Sequence, residues 1–250
     1  MFKRHRVQIF LAVALVGASA VLYFLHYRLF HDIHHIAIFF VEDVAFIPIE
    51  VLIVTLIIHR ALHSHEKRQL MQKLNMAIGT FFSHLGNDLL RLLRGFDASP
   101  EELARRLDFS NVQTVRDIDK LRQDLEGWDT VMAPLKGDLA GLRNFLDARL
   151  DFLMGLLENP HLLEHDRFTD LLWAVFHVAD ELRHRDDFSN LPQEDVDHLA
   201  GDLHRAYRLA VVQWLEYMKH LKSDYPYLYS LAVRLNPFDP QAGAVIGEQT

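Results

Sequence analysis

The chain has 250 residues, a formal charge of −8 with neutral histidines, and no cysteine. Its acidic balance, with no basic arm or aromatic-interleaved Lys/Arg patch, excludes nucleic acid as a partner. The missing cysteines exclude disulfides, thiolate metal sites and cysteine nucleophiles.

Hydrophobicity is concentrated near the N-terminus. Residues 7–27, VQIFLAVALVGASAVLYFLHY, carry no formal charge and match the ~20 residues that cross a ~30 Å hydrocarbon layer. A cleavable leader would use the same basic start and Ala18-Ser19-Ala20, but the apolar run continues through Val21, Leu22, Tyr23, Phe24 and Leu25, so a span is expected. Ala14 and Ala18 have the small-xxx-small spacing of a close helix contact. After a short link, RLFHDIHH, a second span is expected over residues 36–58. Lys3, Arg4 and Arg6 precede the first span, and Arg60, Lys67 and Arg68 follow the second. The positive-inside rule then puts both termini in the cytoplasm.

The second span contains Glu42, Asp43 and Glu50 together with Pro48. On a helix Asp43 and Glu50 nearly superimpose, and Glu42 falls on the same stripe as His35. An ionisable side chain at mid-membrane costs about 2.5 to 3.5 kcal/mol on insertion scales, so lipid exposure is disfavoured. Pro48 frees the carbonyl of Val44 one turn away. Several copies of this span around an axis would present Glu42, Asp43, Pro48 and Glu50 as a cation pathway. The packing alternative sets the carboxylates against Thr55, Tyr23 or His26, or keeps them protonated. His31 with His35, and His59 with His63, have the i, i+4 spacing of a two-imidazole metal start; interfacial anchoring explains the same residues.

Beyond Arg60 the apolar positions Leu70, Leu74, Ile78, Phe81, Leu85, Leu89 and Leu92 recur at helical steps. They predict a stalk helix over residues 61–98. Ser99 and Pro100 then open a helical domain over 99–240, with Ser99 as N-cap. Amphipathic stretches over about 134–158, 160–185 and 193–222 predict an antiparallel bundle. Its expected core is Leu139, Leu142, Phe145, Leu146, Phe152, Leu172, Phe176, Val212 and Leu215. Glu181-Leu-Arg-His184 has the ExxH spacing of di-iron bundles, and Glu158-Asn-Pro-His161 has it by letter, interrupted by Pro160; solvated faces account for both. No phosphate loop, nucleophile elbow or kinase signature points to an enzyme, and no cofactor is implied beyond a bound cation. The Pro-punctuated segment from Tyr225 to Pro240 reads as a docked strap, and 241–250 as a loose tail.

FFVEDVAFIPIEVLIVTLIIHR (39–60), KLNMAIGTFFSHLG (73–86) and YPYLYSLAVRLNPFDP (225–240) resemble a family of uncharacterised prokaryotic membrane proteins. The resemblance implies two N-terminal spans and a helical cytoplasmic region, and implies no chemistry. The expectation is therefore an all-α, homo-oligomeric inner-membrane protein whose second span lines a cation pathway. The alternative is a membrane-anchored scaffold or signalling adaptor whose bundle recruits a soluble cytoplasmic protein.

Overall fold

The computed structural model describes residues 2–31, 33–125, 128–160, 162 and 165–245; the side-chain surroundings of 2–9, 30, 35 and 61–69 lie outside that description. The chain forms two compact units, Met1–Lys67 and Arg68–Thr250.

In the first unit α1 (Phe2–Phe30) is followed by the start of α2 (Ile33–Phe81). The break is tighter than a link over 28–35. His31 adopts φ 51° and its N–H donates to the Tyr27 carbonyl at 2.9 Å, so one left-handed residue closes the first helix. Phe10, Val16, Leu22 and Phe24 of α1 are all exposed. Phe10–Leu29 is the one stretch among the described residues long and apolar enough to cross a membrane. In α2 the apolar side chains are exposed as well, but Glu42, Asp43 and Glu50 interrupt them. Pro48 sits inside the continuous helix.

In the second unit α2 contributes Leu74, Ile78 and Phe81 to a buried core. The helix then passes through a π turn, Phe82–Gly86, where the Asn87 N–H donates to the Phe82 carbonyl, before continuing as α3 (Asn87–Arg94). The extra residue per turn shifts the buried stripe. Adjacent Phe81 and Phe82, and then Leu89 and Leu90, all reach the interior. Phe82 stacks on Tyr217 with centroids 5.1 Å apart, and Phe81 meets Phe168 edge-on at 5.5 Å. Gly86 is required there, since a Cβ would approach Phe82 Cδ1 to 2.5 Å and Phe81 Cε1 to 2.7 Å.

Short helices follow: α4 (Pro100–Arg106), α5 (Val115–Asp124), α6 (Leu139–Asp147) and α7 (Leu150–Leu157). Ser99 precedes Pro100 as expected but makes no side-chain cap. Instead its own N–H donates to buried Asp97 at 2.8 Å. The stretch 134–158 is thus two helices, with Asp138 capping the first by accepting from the Gly141 N–H at 2.8 Å. An isolated bridge between Asp97 and Met132 is the one β pairing among the described residues.

The long α8 (Asp166–Arg183) and α9 (Gln193–Asp224) run antiparallel and organise the domain. α8 buries Phe168, Leu171, Leu172, Val175, Val178, Ala179 and Leu182, a stripe at helical spacing. α9 is buried on several sides because it packs against α3, α5, α8 and α10. Trp214 lies at its centre and donates its indole N–H to Asn87 Oδ1 at 3.1 Å. The expected core is met at Leu139, Leu142, Leu146, Leu172 and Leu215, while Phe145, Phe152 and Phe176 are only partly buried. Val211, not Val212, points fully inward. The segment expected as a strap holds a helix, α10 (Pro226–Arg234), none of whose residues is fully buried.

Candidate metal centre

Two i, i+4 pairs meet where α8 and α9 face each other. On α8, His177 and Glu181 lie one turn apart; on α9, His198 and Asp202 do the same. Val178 and Ala179 anchor one helix in the core and Leu199 the other, so the four polar side chains are held at the edge of the same interface. The antiparallel register then sets His177 opposite Asp202 and Glu181 opposite His198. One ligand atom from each residue lies within 4.8 Å of all the others.

Asp202 is the deepest member, at 5% exposure. Its Oδ2 lies 3.2 Å from His177 Nε2 and 3.3 Å from His198 Nε2, yet neither approach has hydrogen-bond geometry, and Oδ2 is buried without a partner. A buried carboxylate oxygen without a donor is costly, and two imidazole nitrogens converging beside it form a donor set suited to a cation. Glu181 Oε1 completes the set, 4.0 Å from His177 Nε2 and 3.8 Å from His198 Nε2. Bonds of ~2.1 Å to a tetrahedral zinc would put ligand atoms about 3.4 Å apart. The edges from Asp202 to the two histidines are already near that length, and those from Glu181 to the histidines need a contraction of about half an ångström.

The carboxylates are also oriented from outside. Arg185 Nη1 donates to Glu181 Oε2 at 2.7 Å, leaving Oε1 facing the histidines, and the same guanidinium donates to Asp195. Arg205 Nη1 lies 3.6 Å from Asp202 Oδ1, leaving Oδ2 inward. The Arg185 hydrogen bond lowers the Glu181 carboxyl below its usual range, against an opposing effect of burial, and Arg185 likewise lowers Asp195. Glu181 is therefore ionised wherever imidazole is neutral, as ligation requires. Two imidazoles and two carboxylates suit a borderline first-row dication of the zinc type.

Of the ExxH spacing Glu181-Leu-Arg-His184, Glu181 alone joins the cluster. His184 turns outward, its Nδ1 2.8 Å from the Asp180 carbonyl, because i+3 leads off the face that i−4 and the neighbouring helix share. His161, of the second ExxH, lies outside the described residues. Among the described residues, the histidines flanking the N-terminal apolar stretches form no such cluster. His31 sits in the break between helices, so it shares no continuous helical face with His35; His59 and His63 are both within α2, the surroundings of His63 being outside the description. Glu42, Asp43, Pro48 and Glu50 are exposed on α2, and Asp43 Oδ2 accepts a hydrogen bond from Tyr23 of α1 at 3.3 Å.

Fold and site together define an all-helical protein of two units whose second carries a metal-capable His/Glu/His/Asp cluster between its two longest helices. The chain belongs to the family described as "Uncharacterized protein MJ1433". That family's C-terminal helical domain matches residues 70–234 and its N-terminal helical domain matches residues 3–62. The protein of that name from Methanocaldococcus jannaschii is 44% identical over 235 residues, covering 94% of each chain. No solved structure matches.

Proposed function

We propose that this protein binds one zinc-type dication in its helical domain, at His177, Glu181, His198 and Asp202, and carries that domain on an N-terminal membrane hairpin with both ends cytoplasmic. The observation that supports the metal reading above others is the buried, partnerless Oδ2 of Asp202 between two imidazole nitrogens. Four protein ligands make a holding or sensing site in which the ion ties α8 to α9. The hairpin rests on the apolar stretch Phe10–Leu29 and on the basic residues flanking both expected spans. Metal analysis of the purified full-length protein after zinc loading and desalting tests the metal reading. One zinc per chain, lost in Asp202→Asn and in His198→Ala, is expected; equal zinc in all three would overturn it.

A second role fits the hairpin. Glu42 and Glu50 stand exposed among apolar side chains of α2, and in lipid such carboxylates require a partner or water. A homo-oligomer that gathers them around an axis supplies both and provides a cation pathway. The Tyr23 contact gives Asp43 a packing role within one hairpin.

A further inference from the structure

The groove between α8 and α9 continues past the metal centre. One turn before His177 stands Trp173, and one turn after Asp202 stands Arg205. With Asp170, Ala174, Leu209 and His177 they line a cavity of about 470 Å³. His177 therefore belongs to both places. Trp173 is 54% exposed, fixed edge-on against Phe176 at 5.9 Å, and gives the groove an open aromatic wall. Arg205 keeps most of its side chain exposed, its ion pair to Asp202 being the loose 3.6 Å contact already described.

Charge decides what such a groove prefers. Around the ion and along the groove, Glu181, Asp202, Asp195 and Asp170 carry four negative charges, against two from Arg185 and Arg205. A dication removes that deficit of two charges, beside two imidazoles that are both partly exposed. With four protein ligands the ion's shell is filled as in structural zinc sites, so what it offers the groove is charge and not an open coordination position. Asp170 in the groove disfavours a multiply charged occupant such as phosphate.

We infer that the metal-loaded centre and this groove form one composite site for a small organic carboxylate with an apolar or aromatic body. This rests on the metal reading above. The carboxylate faces the ion and Arg205, and the body lies on Trp173, Ala174 and Leu209. The metal-free groove lacks the compensating charge and does not retain such a ligand.

Calorimetry on the full-length protein in detergent, with and without cobalt(II), tests this using benzoate and acetate as probes. Benzoate is expected to bind only the cobalt-loaded protein, at least about ten-fold more tightly than acetate because its ring buries apolar surface. Trp173→Ala should bring benzoate down to the acetate level while cobalt affinity stays unchanged. Cobalt binding without cobalt-dependent benzoate binding, or benzoate no tighter than acetate, would overturn the composite site and leave the metal centre standing. Failure to bind cobalt would overturn both.

Discussion

Asp202→Asn separates the metal reading from an ordinary polar contact, because its effect should change with zinc. The carboxylate is 5% exposed, with one oxygen lacking a donor and the other held only by a 3.6 Å contact to a largely exposed arginine. An exposed pair of that kind contributes about 0 to 1 kcal/mol. An amide fills the same volume as the carboxylate, so at about pH 8 the metal-free variant should match the wild type within about 1 kcal/mol. Zinc at 100 times its dissociation constant stabilises the native state by about 2.7 kcal/mol. At 2 to 4 °C per kcal/mol for a domain of this size, the wild-type Tm should rise by roughly 5 to 11 °C. The variant should show little of that rise. The assay is a thermal melt followed by circular dichroism, with zinc and with chelator. An equal zinc shift in both proteins, or a metal-free variant destabilised by more than about 3 kcal/mol, would refute the reasoning, the latter because Asp202 would then be a structural ion pair.

Gly86→Ala should destabilise the domain by about 1 to 3 kcal/mol, seen as a lower urea midpoint, because its Cβ would strike the rings of Phe81 and Phe82; an unchanged midpoint would remove the packing account of the π turn. Arg185→Gln should weaken zinc binding about 10- to 100-fold, measured by competition with a chromogenic chelator, and an unchanged affinity would deny the arginine its orienting role. The same variant should alter acid stability. Glu181 is held below its ordinary value of 4.5 by Arg185, so its contribution is present above that value and fades as pH falls through the lowered native value. The gap between wild type and variant, at most about 1 kcal/mol at these partly exposed groups, should therefore be open at neutral pH and closed in strong acid in urea melts without metal. For the proposed membrane hairpin, Glu50→Gln in liposomes should abolish most cation flux without altering oligomeric size, and undiminished flux would exclude Glu50 from any pathway.

The helical class and the long α8 and α9 could be read from apolar periodicity, since burial of apolar faces is what makes those helices form, but of the core positions expected on them only Leu172 and Leu215 are fully buried. The π turn could not, because adjacent Phe81 and Phe82 carry no periodic sign that both face inward. The metal cluster was half visible. His177 with Glu181 and His198 with Asp202 are plain i, i+4 pairs, but in a chain with 16 histidines and 34 acidic residues such pairs arise by chance. What selects them is the antiparallel register of α8 on α9, set by Val178, Ala179 and Leu199 in the core and by Arg185 bridging Glu181 to Asp195. That register depends on contacts between helices, which spacing along one helix does not contain. For the same reason spacing alone relates Glu181 to His184, its neighbour in sequence, and not to His198 across the groove.

The most direct test of the metal centre is X-ray absorption at the zinc edge of the loaded full-length protein. The structure predicts a first shell of nitrogen and oxygen only, at about 2.0 to 2.2 Å, with the outer-shell scattering of two imidazoles, reduced to one in His198→Ala. A spectrum without imidazole scattering, or one that His198→Ala leaves unchanged, would contradict it.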